Sequence, residues 1–409
     1  MVAFRSASRV WLAALVSAGC VPVEPDTAAA DPLVVDLVWI PSTTDLTWEQ
    51  ARLGLWWALA NLGAAPADEA GLVITEERSD RVVFTLDLGA VGFPEARLPD
   101  VEAAVAPVRA WSDDPVDVGA FLLATLYEPG RYYAITGACG TVDAWRAARQ
   151  VPEPTAYAVT RSLLVAGNRL ILLNPAPPGD AAAADAQTAA SAVANLGWLA
   201  SEGEGSLAEG TFEQVEFETV DVMPNGQQRF AVYGADGVLQ AAGAASPAGQ
   251  PGKCMWCHEG NVQRGTSENE SAPGYLDYAG FIAEVDAAEA WMGAVRGGAP
   301  VLEFAPIVHQ HAEWLTLTYL EPSAERVARE WGVSADEVRA EGLPVHLHDE
   351  YPELGELYTR ADVDAARARR EPGWAPLAAP GSDRELDPGR ALVGAENPAC
   401  TPGAGVATR

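Results

Sequence analysis

The chain has 409 residues, of which 49% are hydrophobic and 20% are charged, a composition that suits a globular protein with a substantial core. Its 57 acidic residues outnumber 26 basic ones and give a formal net charge of −31. Such a surface repels phosphate backbones and anionic lipid head groups, so nucleic acid is excluded as a partner.

The N-terminus has the pattern of a bacterial export signal. Two arginines precede a short apolar run, residues 10–16, which is too brief to span a bilayer. Small residues then lead to Cys20, as in a lipobox, where cleavage precedes a cysteine whose thiol is lipidated. We therefore expect a signal peptide over 1–19 and a lipidated tether over 20–32, with an ordinary secretory signal as the alternative. The mature protein would be exported and held by its lipid at the inner or outer membrane, facing the periplasm or the cell surface.

A mixed α/β domain of unknown role is predicted over residues 33–250. Apolar residues at helical spacing behind Thr47 predict a helix over 47–62. Alternating and β-rich stretches predict strands over 31–40, 81–88, 132–136 and 163–173, the last turning at Gly167-Asn168. A helix is predicted over 181–199, and a β-meander with a turn at Asn225-Gly226 over 212–240.

A more helical segment is predicted over residues 251–370, followed by an irregular tail rich in Pro, Gly and Ala over 371–409. Its helices are expected over 278–295, 323–331 and 334–341. The last two resemble a helix-turn-helix, but an acidic chain has no basic surface for DNA, so we expect them to be packing structure. The whole chain is predicted to have an α+β fold.

Cys254, Cys257 and His258 stand in the spacing Cys-x-x-Cys-His. This motif resembles the haem-attachment signature of c-type cytochromes, in which two thiols bind the haem vinyl groups and the histidine is the proximal iron ligand. Covalent attachment takes place outside the cytoplasm, which agrees with the export signal. The resemblance implies one haem c and an electron carrier with an unidentified redox partner protein. If the chain is an enzyme, the resemblance implies a haem-dependent oxidoreductase; no catalytic residue is predicted.

Two alternatives stay open at this point. Cys254 and Cys257 with two histidines could bind zinc, which would make the chain a metal-binding protein or a metal-dependent hydrolase. The cysteines could instead be structural, in a surface lipoprotein without enzymatic activity.

The other four of the five histidines form two His-x-His pairs, His309 with His311 and His346 with His348. Residues i and i+2 of a strand share a face, so each pair could offer two imidazoles to one metal. These histidines and Met292 are also the candidates for the sixth ligand of a haem iron.

Two cysteines remain outside the export signal and the haem-like motif. Cys139 and Cys400 could form a disulfide in an oxidising compartment, with two separate thiols as the alternative.

Overall fold

The computed structural model describes residues 33–41, 46–65, 70–109, 115–149, 157–161, 168–205, 209–243, 254–255, 258, 276–297, 308–349 and 351–374. Over these residues the chain has the predicted α+β fold, with nine strands and eleven α-helices. All of them fall within one compact unit, Pro32–Arg409.

The strands are β1 (Val34–Trp39), β2 (Leu72–Glu77), β3 (Val82–Asp87), β4 (Val116–Asp117), β5 (Tyr157–Arg161), β6 (Asn168–Asn174), β7 (Gly197–Glu204), β8 (Glu213–Val222) and β9 (Gln228–Gly234). The helices are α1 (Trp48–Asn61), α2 (Leu98–Arg109), α3 (Val118–Thr125), α4 (Pro129–Thr136), α5 (Val142–Ala148), α6 (Ala186–Val193), α7 (Tyr278–Arg296), α8 (Val308–Leu320), α9 (Ala324–Trp331), α10 (Ala335–Ala340) and α11 (Arg360–Arg370).

The strands form two sheets. The first has the order β2-β3-β1-β4, with a parallel pairing only between β1 and β4. The second has the order β5-β6-β7-β8-β9 and is antiparallel throughout. Strands β8 and β9 are the predicted meander, and Gly226 makes their turn with a φ of 81°, which glycine adopts without strain.

Helix α1 begins and ends where its sequence predicts. The hydroxyl of Thr47 accepts a hydrogen bond from the Gln50 backbone, and the Gln50 side chain accepts one from the Thr47 backbone, which completes a capping box. Gly63 follows the helix with a φ of 105°. The helix buries Trp56 and Trp57 in the larger of the hydrophobic cores.

Helix α8 completes that core by packing against α1 and α3. Two glycines make the approach possible. A Cβ on Gly54 would lie 2.9 Å from the Ala312 nitrogen, and a Cβ on Gly119 would lie 2.7 Å from the Tyr319 Cβ. The core therefore crosses residue 250, the boundary that the sequence predicts between two domains.

Two elements differ from the sequence prediction. Residues 132–136 are predicted as a strand but form the last turns of α4, which starts with Pro129 at its first turn and ends at Gly137 in the left-handed conformation. The helix predicted over 181–199 is only Ala186–Val193, capped by Asp185, because the chain turns at residues 194–195 and enters β7 at Gly197.

A buried network of charged residues joins α9 and α11 to the first sheet. Arg326 pairs with Asp117 and Glu330, and Arg360 binds both carboxylate oxygens of Glu330, at 2.8 and 2.9 Å. The Arg360 guanidinium also lies 4.0 Å from the centre of the Tyr319 ring. Each charge has a partner, which offsets the cost of removing it from water.

Within the described ranges, no helix is both long and apolar enough to cross a bilayer. The predicted signal peptide, the tether and Cys20 lie outside the described residues, as does the tail after residue 374.

Candidate functional site

The described part of the Cys-x-x-Cys-His motif is one helical turn. Cys254 and Met255 are helical, and the backbone N–H of His258 donates to the Cys254 carbonyl at 3.0 Å. Residues four apart on such a turn lie on the same side, so the Cys254 thiol and the His258 imidazole project together. Cys257 lies outside the described residues.

Met255 anchors this turn, because its side chain is only 1% exposed and belongs to the larger core. Cys254 is half-buried and remains a thiol. The His258 ring lies against Phe230 of β9, with 5.5 Å between the ring centres and an angle of 45° between the planes. The turn therefore offers a half-buried thiol and an imidazole packed against an aromatic ring.

Helix α4 positions Phe230. The Phe230 backbone N–H donates to the Tyr132 hydroxyl at 3.1 Å, and the Val232 N–H donates to the Tyr133 hydroxyl at 3.3 Å. Both tyrosines are buried, and burial raises the pKa of each phenol, so both stay protonated at ordinary pH. The edge of the second sheet is thus held by side-chain hydroxyls, next to the motif.

An acidic cluster lies on one face of the second sheet. Arg169, Glu202 and Glu216 occupy paired positions on β6, β7 and β8, and Glu218 is two residues further along β8, so all four face the same way. Oxygens of Glu202, Glu216 and Glu218 lie within 4.8 Å of one another. Cys254 lies near enough to Arg169 for their charges to interact, so the cluster neighbours the motif.

Burial, followed by the charge of Glu218, raises the pKa of Glu202 to about 9. Glu202 therefore holds a proton at neutral pH, and Arg169, which contacts both Glu202 and Glu218, has Glu218 as its charged partner. Three carboxylates at this spacing are also a ligand set for a hard divalent cation. Sequence reasoning missed this cluster, although acidic residues at every second position of β8, Glu216 and Glu218, were a signal for it.

The first His-x-His pair cannot serve one metal in the way its sequence suggests. His309 and His311 are in helix α8 and not on a strand, and residues two apart on a helix lie on different sides, so this pair lacks the shared strand face that a common metal would need. His311 is buried beside Gly54 of α1, and burial lowers its pKa. The side chain of His309 lies outside the described residues.

The second pair meets at a carboxylate. Glu321 Oε2 lies 3.3 Å from His346 Nε2 and 3.8 Å from His348 Nε2. The Tyr351 N–H donates to His348 Nδ1 at 3.1 Å, so the Nε2 of the neutral ring carries the proton and has no lone pair for a metal. Glu321 follows the end of α8, and His311 stands ten residues earlier, about 15 Å along the helix. The two pairs therefore do not form one metal site.

Met292 is fully buried in a second core, among residues of α6, α7 and the second sheet, such as Trp198 and Trp291. This is the packing of an ordinary core methionine. Met255 of the motif belongs to the other core.

Cys139 is buried and disulfide-bonded, and its partner lies outside the described residues. Cys254 is a thiol, so it is not that partner. The predicted pairing with Cys400 stays a prediction, because Cys400 is also outside the described residues. The pairing bears on the motif, since a Cys257 engaged in a disulfide would have no thiol for a haem vinyl group.

Comparison of the chain with protein-family models, curated proteins and solved structures finds no match. The functional conclusion therefore rests on the chemistry of the residues themselves.

Proposed function

We propose that the protein is an exported c-type cytochrome-like electron carrier with one covalently attached haem. The observation that carries the proposal is the helical turn in which the His258 backbone N–H donates to the Cys254 carbonyl at 3.0 Å, because residues four apart on such a turn lie on the same side. Haem attachment requires two thiols and an imidazole, and this turn carries one of the thiols and the imidazole. Export and a lipid anchor at Cys20 belong to the same proposal, because the attachment takes place outside the cytoplasm.

The donor atoms of Cys254 and His258 support that group. Cys254 and Cys257 would hold it covalently, His258 would be the proximal ligand, and bound haem would supply a one-electron couple. Met255 fixes the turn in the core, and Phe230 restricts the rotation of the His258 ring. The protein's own contribution is therefore to bind and orient, and an unidentified protein would be its redox partner.

Zinc at the motif has less support. It would need two histidine ligands besides the cysteines. Among the described side chains, His311 is packed against α1, while His346 and His348 gather around Glu321. If the protein carries no haem, two alternatives remain. They are a zinc protein with hydrolase activity and a surface protein with structural cysteines.

The test is expression with the native signal in a host that matures c-type cytochromes, followed by an intact mass and a pyridine haemochrome spectrum. We expect the mass of one haem and the absorbance of two thioether bonds. Cys254→Ser should shift the spectrum to that of a single thioether. As a matched control, Cys400→Ser changes a cysteine outside the motif and should leave the spectrum unchanged.

A haem-free protein would overturn the proposal, and zinc by elemental analysis would then favour the metal alternative. Identifying the disulfide partner of Cys139 by peptide mapping is an independent test of the haem proposal. A peptide that joins Cys139 to Cys257 in the purified protein is incompatible with two thioether bonds. Substitution of His309, His311, His346 and His348 in turn, with the Soret band as the signal, would then locate or exclude a histidine as sixth ligand.

A further inference from the structure

Strand β9 is the last strand of the second sheet, so the backbone groups on its outer side need partners from elsewhere in the fold. Phe230 and Val232 are two residues apart, and their N–H groups point to that side. The Phe230 N–H donates to the Tyr132 hydroxyl at 3.1 Å. The Val232 N–H donates to the Tyr133 hydroxyl at 3.3 Å. Two side chains of α4 thus take the place of a neighbouring strand.

The bond at Val232 has a backbone bond beside it. The Val232 carbonyl accepts a hydrogen bond from the Gln240 N–H at 2.9 Å. The Tyr133 hydroxyl donates to the Gln240 carbonyl, also at 2.9 Å. Tyr133 therefore bridges two backbone segments that bond to each other directly, and the direct bond would remain if the hydroxyl were removed.

The bond at Phe230 reaches the haem-like motif. The Phe230 side chain is 2% exposed, and its ring centre lies 5.5 Å from that of the His258 ring. A buried N–H that loses its partner destabilises the fold, so the backbone at Phe230 would move towards another acceptor. The Tyr132 hydroxyl therefore fixes the one strand residue whose ring is seen to contact the imidazole.

Distance from the motif does not distinguish the two tyrosines. Both are buried, and their ring centres are 5.9 Å apart. Cys254 is near enough to both phenols for their charges to interact. The difference between Tyr132 and Tyr133 lies in the residue to which each hydroxyl bonds.

We propose that Tyr132 is a positioning residue for His258, that it acts through the backbone of Phe230, and that Tyr133 is structural. Tyr132 holds the Phe230 ring at its angle of 45° to the imidazole plane. In making Tyr132 the residue that orients the proximal haem ligand, the inference rests on the proposed function. The orientation of the His258 ring is also a property of the haem-free chain and can be measured there.

The first test is NMR of the full chain made without haem, with its five histidines isotope-labelled at Cε1. His258→Gln identifies the His258 signal by its loss. We expect Tyr132→Phe, which removes one oxygen atom, to shift that signal and weaken its NOE contacts to Phe230. The matched control is Tyr133→Phe, which removes an oxygen with two hydrogen bonds. It should lower the Tm by at least as much and leave the His258 signal unchanged.

Thermal unfolding of both variants separates positioning from stability. An unchanged His258 signal in Tyr132→Phe would overturn the proposal. So would a shift that follows the loss of Tm in both variants, because Tyr132 would then be structural as well. In a Phe230→Leu background, Tyr132→Phe should have no further effect on the signal, and a remaining shift would show that Tyr132 does not act through Phe230.

The haem-loaded protein distinguishes this inference from the proposed function. Tyr132→Phe should change its reduction potential, and Tyr133→Phe should leave the potential as in the parent chain. A chain that takes up no haem would contradict the proposed function, while the NMR result would still decide whether Tyr132 orients His258. Equal potentials in the parent chain and in both variants would overturn the role of Tyr132 towards the haem ligand.

Discussion

Glu202 shows how far a single residue departs from what its sequence neighbourhood suggests. It is an ordinary acidic residue in a strand, yet the fold places it 3% exposed between Glu218 and Arg169. Burial and a like charge both favour its protonated form. The sequence contains the alternation of Glu216 and Glu218, but the pairing of β6, β7 and β8 is needed to bring the four side chains together.

We expect Glu202→Gln to flatten the dependence of stability on pH. The folded pKa of about 9 lies above the unfolded value of 4.5, so the folded state holds an extra proton between them. The free energy of unfolding therefore falls as pH rises from about 5 to 9, by on the order of 1 kcal/mol per pH unit at most. Denaturant unfolding at several pH values measures this slope.

Glu204→Gln on the same strand is the control, because Glu204 is exposed, and its variant should keep the parent slope. A Glu202→Gln protein with that same slope would show that Glu202 is ionised in the folded state.

At the scale of the elements, local sequence signals predict the helices and turns whose ends carry a capping residue or a turn-forming pair. Thr47 caps α1 as the sequence predicts, Ser323 and Ser334 cap α9 and α10 at the predicted starts of those helices, and Asn225-Gly226 turns the meander. These signals act over three or four residues, so they survive any tertiary context.

Helix α4 could not be predicted in the same way. Its residues Tyr132–Thr136 are aromatic and β-branched, a composition typical of strands. Burial against β9 and the tyrosine hydroxyls that bond to Phe230 and Val232 make the helix the better solution. Pro129 and Gly137 were signals for its two ends.

Gly119→Ala should destabilise the protein by about 1–3 kcal/mol, because the added methyl meets α8. Its Cβ would lie 2.7 Å from the Tyr319 Cβ and closer still to the Leu315 carbonyl. Gly293→Ala is the matched control, since nothing lies within 4 Å of its Cβ in α7. That change should stabilise by about 0.5–1 kcal/mol through helix propensity. Chemical denaturation measures both, and equal effects would mean that α8 does not approach α3 this closely.

At the scale of the whole molecule, the buried charges set a pH of maximum stability. Burial raises the pKa of Asp364 to about 6, and Glu202 is raised to about 9. Burial also opposes the charge on Glu330, but Arg360 and Arg326 outweigh it and lower the pKa of Glu330 to about 2. The first two groups favour folding at acid pH, whereas Glu330 loses its contribution as pH falls from 4.5 towards 2.

Stability should therefore be greatest near pH 4–5 and decline on both sides. Differential scanning calorimetry should give a Tm on the order of 5 °C lower at pH 9 than at pH 5. Repulsion within a chain of charge −31 acts in the same direction, so the scan is repeated in about 0.5 M NaCl, which screens surface charges and spares buried ones. A Tm that is constant from pH 5 to 9 in salt would contradict the raised pKa values of Glu202 and Asp364.

The place of α8 has a consequence for the order of folding. Helix α1 ends at Asn61, but the segment that closes its apolar side begins at Val308, about 250 residues later in synthesis. A growing chain thus carries α1 and α3 through at least the 183 residues from Thr125 to Val308 before α8 can cover Gly54 and Gly119. Assembly of the larger core waits for one late helix, and the chain reaches its native state only when most of it has been made.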